Sequence, residues 1–239
     1  QTVLEGNRTR SLSELLSDNT TVYIKTMGQG AFSVASFRGT TSSQTQVNWN
    51  GININPVMST SFDFSKIPVF FADNVTLYHG NSHFKNGTGA LGGSINIANT
   101  PSWQDSTRLR AFAEFGSFGM MTAAAAVRAM TERSLFQTRV YFQRADGDFR
   151  YLNKVLKKNP FYDRRKEAAY QQSGVMQEAY FKTGRYGMIS TNLWFQYGNR
   201  RLPQPIIVNV TNHERQQDSG LKYLLGYEYE KGKHAFSVR

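Results

Sequence analysis

The segment Gly87-Thr-Gly-Ala-Leu-Gly-Gly-Ser-Ile-Asn-Ile-Ala-Asn99 is where residue types and spacing come nearest to a known chemistry. Gly87, Gly89 and Gly92 have the spacing of a dinucleotide-binding fingerprint. That chemistry needs the glycine turn to open a helix, whose N-terminal N–H groups then hold a pyrophosphate. Here Ser94-Ile-Asn-Ile-Ala98 alternates polar and apolar residues at period two, which predicts a strand. An acidic residue is also required about 20 positions further on. The chain reads Arg108-Leu-Arg-Ala111 there. Nucleotide binding is therefore set aside, and the glycine run reads as a turn feeding a strand.

The other candidate chemistries are thin. His79 and His83 are four residues apart, but on a strand-to-turn segment this spacing does not bring two rings to one side. His213 and His234 stand alone, and the chain has no cysteine, so no metal site is expected. No glycine-flanked nucleophile elbow is present, and no enzyme activity or cofactor is expected.

The elements that would carry a function are read from composition and pattern. Among 239 residues the net charge is +11 and 13% are aromatic, mostly Tyr and Phe. Mean hydropathy is −0.49. No stretch approaches the ~18 apolar residues of a membrane-spanning helix. A membrane β-barrel remains open, because its strands alternate lipid-facing and lumen-facing residues and so keep mean hydropathy low. The densest basic segment, Arg150 to Lys166, includes Tyr151, Phe161 and Tyr162. It reads as a solvated loop or as one facing lipopolysaccharide phosphates. Without a nucleic-acid fold motif beside it, no nucleic-acid partner is expected.

Two textures divide the chain. In residues 1–102, Ser11-Leu-Ser-Glu-Leu-Leu16 predicts a short helix, with Ser11 and Glu14 as a capping box and Asp18–Thr21 ending it. Short strands are predicted at Val22–Ile24, Ala35–Phe37, Gln46–Trp49 and Asn74–Tyr78, with a tight turn at Asn50-Gly51. From about Thr107 the alternation lengthens. Leu109, Ala111, Ala113 and Phe115 interleave with Arg108, Arg110, Phe112 and Glu114, and similar runs cover 136–143, 189–197 and 221–228. Such strands exceed the usual five or six residues and are long enough to cross a bilayer at a tilt. Short connections (Thr131–Arg133, Thr183–Tyr186, Glu230–Lys233) alternate with long polar ones at roughly 148–172 and 202–217. Only Gly116–Gly119 breaks the rule. Tight turns at one end and long loops at the other are the outer-membrane barrel pattern.

With both halves in view, the chain resembles the TonB-dependent outer-membrane receptors. The resemblance rests on pieces in the family's order: Leu12-Ser-Glu-Leu-Leu16, Val22-Tyr-Ile24, Phe37-Arg-Gly39, Val47-Asn-Trp-Asn-Gly-Ile-Asn53, Asp63-Phe-Ser-Lys-Ile-Pro68, Val75-Thr-Leu-Tyr-His-Gly80 and the glycine run. It departs at Asn19-Thr-Thr21, His79-Gly-Asn81 and the adjacent aromatics of Pro68-Val-Phe-Phe71, variants similar to vitamin-B12-type receptors of the Bacteroidetes group. The fold it implies is a mixed α/β plug domain, residues 1–102, followed by antiparallel transmembrane β-barrel strands, residues 103–239, the barrel being incomplete in this chain.

The resemblance implies a gated importer in the outer membrane of a Gram-negative bacterium. A scarce nutrient binds at the outer face, and the TonB complex of the inner membrane supplies the energy. Corrinoid or cobalamin-like solutes lead, with siderophores and haem behind. Outer-membrane lipid and lipopolysaccharide, and a surface lipoprotein, are the other implied partners. By carry-over, apical plug loops fall at 28–33 and 55–61, with Gln29, Phe32, Ser33, Met58, Ser59 and Thr60 as substrate contacts. Arg38 stands where the family arginine pairs with barrel carboxylates, for which Glu114, Glu178 and Glu228 are available. Arg38→Ala is expected to loosen the plug and raise antibiotic and detergent leakage in cells carrying it; unchanged leakage would count against that role. The energy-coupling box is absent from these residues, so its members are not named.

The alternative is a β-rich secreted or surface adhesion protein without transport, which detergent requirement would separate from a barrel. About seven strands fit between Thr107 and Arg239. Plugged outer-membrane transporters have about 22. An open edge is untenable in lipid, so the chain is expected to be one piece of a larger or nicked receptor.

Overall fold

The fold is described from a computed structural model covering residues 2–28, 30–37, 39–57, 59, 61–80, 91–103, 107–155, 159–205, 207 and 213–239. Two compact units divide at Thr100 and Pro101.

In the first unit, α1 (Thr2–Gly6) and α2 (Leu12–Asn19) precede β1 (Tyr23–Thr26) and β2 (Ser33–Ser36), an antiparallel pair. Four further strands, β3 (Thr45–Trp49), β4 (Ile52–Asn53), β5 (Asn74–His79) and β6 (Gly93–Ala98), form a sheet in the order β4-β3-β6-β5. The capping box is present: Ser11 Oγ accepts from the Glu14 backbone N–H, and Glu14 Oε2 accepts from that of Ser11. Leu12, Leu15 and Leu16 are buried on one face of α2. The helix runs through Asp18 and Asn19, further than the sequence suggests, and stops where Thr20 turns its N–H and hydroxyl back onto the Leu16 carbonyl. Asn50 and Gly51 both take positive φ and fold β4 back on β3, as their types predict. The adjacent aromatics Phe70 and Phe71 are both buried in a 3₁₀ turn, and Asn99 bonds the Phe71 carbonyl and the Trp49 indole N–H.

The glycine run acquires its physical reason here. Its last member, Gly93, opens β6, which pairs parallel with β3 and antiparallel with β5. Gly93 has φ +153°, and a Cβ there would stand 2.5 Å from the Tyr78 carbonyl oxygen and 3.0 Å from the Phe37 ring. Gly93→Ala is therefore expected to destabilise this unit by more than about 1 kcal/mol, measured as a drop in its unfolding midpoint.

The second unit is one antiparallel sheet. Its members are β7 (Arg108–Phe115), β8 (Met121–Met130), β9 (Ser134–Ala145), β12 (Tyr170–Thr183), β13 (Gly187–Arg201), β14 (Arg215–Lys231) and β15 (His234–Val238). They pair in chain order, with β7 and β15 at the two ends of the seven-stranded sheet. A hairpin, β10 (Arg150–Asn153) and β11 (Phe161–Arg164), stands within the connection after β9, where the sequence had suggested only loop. The tight turns fall at one end of the sheet, after β8, β12 and β14, and the longer connections at the other. Gly116–Met120 is the short exception, held by the Gly116 N–H on the Met120 carbonyl.

Candidate functional site

Cross-strand register decides which side chains share a face. One row runs Ala111, Ala125, Val140, Val175, Phe195 and Leu221. Its neighbour on the opposite face runs Arg110, Ala126, Arg139, Met176, Trp194 and Lys222. The apolar face is exposed: Leu109 is 70% accessible and Leu221 66%. The polar face is buried, with Gln137, Arg139, Gln143, Glu178 and Asn192 all below 6%. A soluble sheet shows the reverse arrangement. Polar groups on the exposed face satisfy one another, Thr138 donating to Gln177 and Thr191 to the Tyr223 hydroxyl. Hydrocarbon offers them no other partner.

The buried face carries an ionic network. Arg139 Nε lies 3.2 Å from Glu178 Oε2, and both side chains are 2% accessible. Gln137 donates to the same oxygen and the Tyr180 hydroxyl to Glu178 Oε1. Lys222 Nζ sits 4.4 Å above the buried Trp194 ring. All three carboxylates named for anchoring face this side. Glu114 is opposite Thr122, Glu178 is opposite Gln137, and Glu228 pairs with Arg239 at 2.6 Å. Arg38 lies outside the described residues. The sequence offered Glu178 as one of three candidate carboxylates but not Arg139 as its partner, because that needs the register between β9 and β12.

In the first unit, Phe32, Ser33 and Ser59 are described, while Gln29, Met58 and Thr60 lie outside the described residues. The β1–β2 loop is closed by the Met27 N–H on the Phe32 carbonyl and turned at Gly28 and Gly30, both with positive φ. Phe32 is half-buried and Ser59 exposed. Ser33 is 1% accessible: its N–H donates to Asp63 Oδ1 and its hydroxyl to Thr26 Oγ1, so it acts as a brace within the loop. Ser59 Oγ donates to the Ser61 carbonyl, and Ser61 Oγ meets Ser42 Oγ at 2.6 Å.

Sequence reasoning missed the residues that hold these loops. Asp63 Oδ1 accepts from the Ser33 N–H, the Ser65 N–H and the Ser65 hydroxyl, tying both loops at one oxygen. Asn55 accepts from the Val47 N–H and donates to the Thr45 carbonyl, fixing the base of the second loop. The signal for Asp63 was legible, since Asp-x-Ser before a short helix is a capping pattern. Asp63→Ala is expected to lower the unfolding midpoint of this unit, since three hydrogen bonds end on one buried oxygen, read by thermal unfolding followed by circular dichroism.

Residues 1–94 match the model of the TonB-dependent receptor plug domain. Over those residues the chain is similar to the plug domain of the TonB-dependent receptors. This similarity places it in the outer membrane. Over 94 residues it is 31% identical to the vitamin B12 transporter BtuB of Photobacterium profundum, an alignment covering 39% of this chain and 16% of that protein. Among solved structures, the copper transporter OprC superposes with a TM-score of 0.72 at 13% identity, over 92% of this chain and 33% of OprC. The FrpB iron transporter of Neisseria meningitidis gives 0.73 at 12% identity, over 96% of this chain and 36% of FrpB. The chain thus spans about a third of these structures and 16% of the curated relative. The shared fold is a plug domain followed by antiparallel barrel strands.

Proposed function

We propose that this receptor imports a scarce nutrient across the outer membrane, using energy from the TonB complex, and that it is a transport receptor and not an enzyme. The observation carrying this is the joining of a plug domain to a sheet whose apolar face is exposed and whose charged face is buried. A wall of this kind encloses a polar interior, and a folded domain that fills it makes passage conditional. A corrinoid of the cobalamin type is the leading solute, supported by the 31% identity over 94 residues with a vitamin B12 transporter. Siderophores and haem follow.

In this reading the loops braced by Asp63 and Asn55 present Gln29, Phe32, Met58, Ser59 and Thr60 to the solute, with Ser33 holding the first loop's shape. Loops on a rigid sheet suit such a role, since their side chains adapt while their ends stay fixed. Arg38 as plug anchor belongs to the same proposal, with the leakage test given above. Lipopolysaccharide phosphates suit the exposed face at the long-connection end, where Arg144, Arg201 and Arg215 stand beyond the apolar rows. A surface lipoprotein is a further proposed partner.

The experiment is growth of a deletion strain on cobalamin, a ferric siderophore or haem as the limiting nutrient. Loss of growth on one of these at low concentration, restored by the gene and abolished again when the proton gradient is collapsed, is expected. Unimpaired growth and uptake on all of them would refute the proposed solutes.

A further inference from the structure

The exposed face of the sheet ends, on its tight-turn side, in a cluster that the import reading leaves unused. Register sets Tyr227, Tyr229 and Lys231 of β14 on that face, with Phe236 opposite Tyr229 and His234 opposite Lys231. Glu228 and Glu230 alternate with them onto the other face, where Glu228 pairs with Arg239. Two turns meet here. The Tyr186 ring, from the turn between β12 and β13, packs edge-to-face with Tyr229, the centroids 6.2 Å apart. The Glu230 N–H donates to the Tyr186 carbonyl and ties that turn to the end of β14. Two cations then approach one ring: the Arg185 guanidinium stands 5.6 Å and the Lys231 ammonium 5.5 Å from the Tyr186 centroid. An aromatic face attracts a cation without neutralising it. Among the described residues neither cation has an ion pair. Tyr227 adds a donor. Its ring leans along the exposed face toward the turn, so that its hydroxyl oxygen lies 2.9 Å from where a Cβ on Gly187 would stand.

We propose that this cluster binds the head group of an anionic phospholipid, its phosphate held between Arg185 and Lys231 and its acyl chains laid along the exposed apolar rows. An aromatic belt alone would only mark the height of the interface. What selects a phosphate is the pair of cations brought together from two turns, with the nearby carboxylates on the other face. Charge-assisted bonds from such groups to a phosphate are the strong ones, and basic clusters at the interface hold acidic lipids. The occupant follows from continuity. Leu225, Tyr227, Phe236 and Val238 are exposed and lead from the cations into the apolar face. A ligand that fits both parts carries an anion on a hydrocarbon tail, whereas a free phosphate ion would use the rim alone. The proposal rests on the reading of the exposed face as lipid-facing.

The test uses the protein purified from outer membranes in a neutral detergent and stripped of lipid, read by native mass spectrometry. Dioleoylphosphatidylglycerol is the probe, and dioleoylphosphatidylcholine, with no net charge, is its comparison. One phosphatidylglycerol is expected to bind ahead of the rest, with at least a tenfold preference over phosphatidylcholine. The paired variant Arg185→Gln with Lys231→Gln should weaken that first binding by tenfold or more. Arg133→Gln, which removes a cation from the β8–β9 turn at the same end of the sheet, should leave it unchanged. Heat-modifiable migration on gels reports folding of each variant. Should the paired variant fail to fold, Arg185→Gln and Lys231→Gln taken singly should each weaken the binding severalfold. Absence of a preferred lipid, an unchanged affinity in the variants, equal weakening by Arg133→Gln, or ready displacement of the lipid by inorganic phosphate would overturn the site. Insertion of the unaltered protein into liposomes is scored beside it. Insertion without a preferred lipid faults the head-group site alone, and failure to insert faults the lipid-facing reading and the site with it.

Discussion

Phe195→Arg should cost the membrane-inserted protein about 2–4 kcal/mol, the penalty for such a charge near the middle of a bilayer on a barrel's outer face. Phe195 lies on the exposed apolar row, flanked across the strands by Val175 and Leu221. Gln196→Arg, one residue along, is the control. Its side chain faces the polar side, where Gly174 and Gly220 are its cross-strand neighbours. Denaturant unfolding of both variants after refolding into liposomes should show a large loss for Phe195→Arg and less than about 1 kcal/mol for Gln196→Arg. Equal losses would mean that the two faces meet similar surroundings.

Arg139→Ala should be as damaging from the inside, at about 3–5 kcal/mol, because it strands the buried Glu178 carboxylate. Arg139 and Glu178 are each 2% accessible and joined at 3.2 Å. The rescue is specific. Adding Glu178→Gln to Arg139→Ala removes the stranded charge while keeping an oxygen for the Tyr180 hydroxyl. The double variant should recover more than half of the loss in the same unfolding measurement. A double variant no better than Arg139→Ala would show that Arg139 contributes packing volume and not charge balance.

Much of the wall was legible beforehand, for one reason. A strand with hydrocarbon on one side and polar groups on the other must alternate along its whole length, and Ile189–Tyr197 and Leu221–Glu228 do so within β13 and β14. The tight turns were equally readable, as was the Ser11–Glu14 capping box, whose bonds are local. The glycine run was correctly placed before a strand, while its cause, the approach of the Tyr78 carbonyl and Phe37 ring to Gly93, needed the tertiary fold.

Long-range pairing was illegible. Nothing local joins Ser33 to Asp63, thirty residues away, so Ser33 read as a contact on an open loop when its backbone is braced and its side chain buried. The β10–β11 hairpin was masked by the charge of Arg150 to Lys166, which reads as solvated loop. Its Arg150 guanidinium stacks 4.9 Å from the Tyr162 ring, a contact that only strand pairing creates. The short helix α1 lacks the apolar spacing that identified α2.

The chain's freedom from cysteine makes the decisive measurement direct. Single cysteines placed at each position from 189 to 198 and spin-labelled in liposomes would report collisions with oxygen, which enters hydrocarbon, and with a polar nickel chelate, which does not. The account predicts oxygen maxima at 189, 191, 193, 195 and 197, with the even positions shielded from oxygen. A flat profile, a helical period, or nickel access at the odd positions would contradict it.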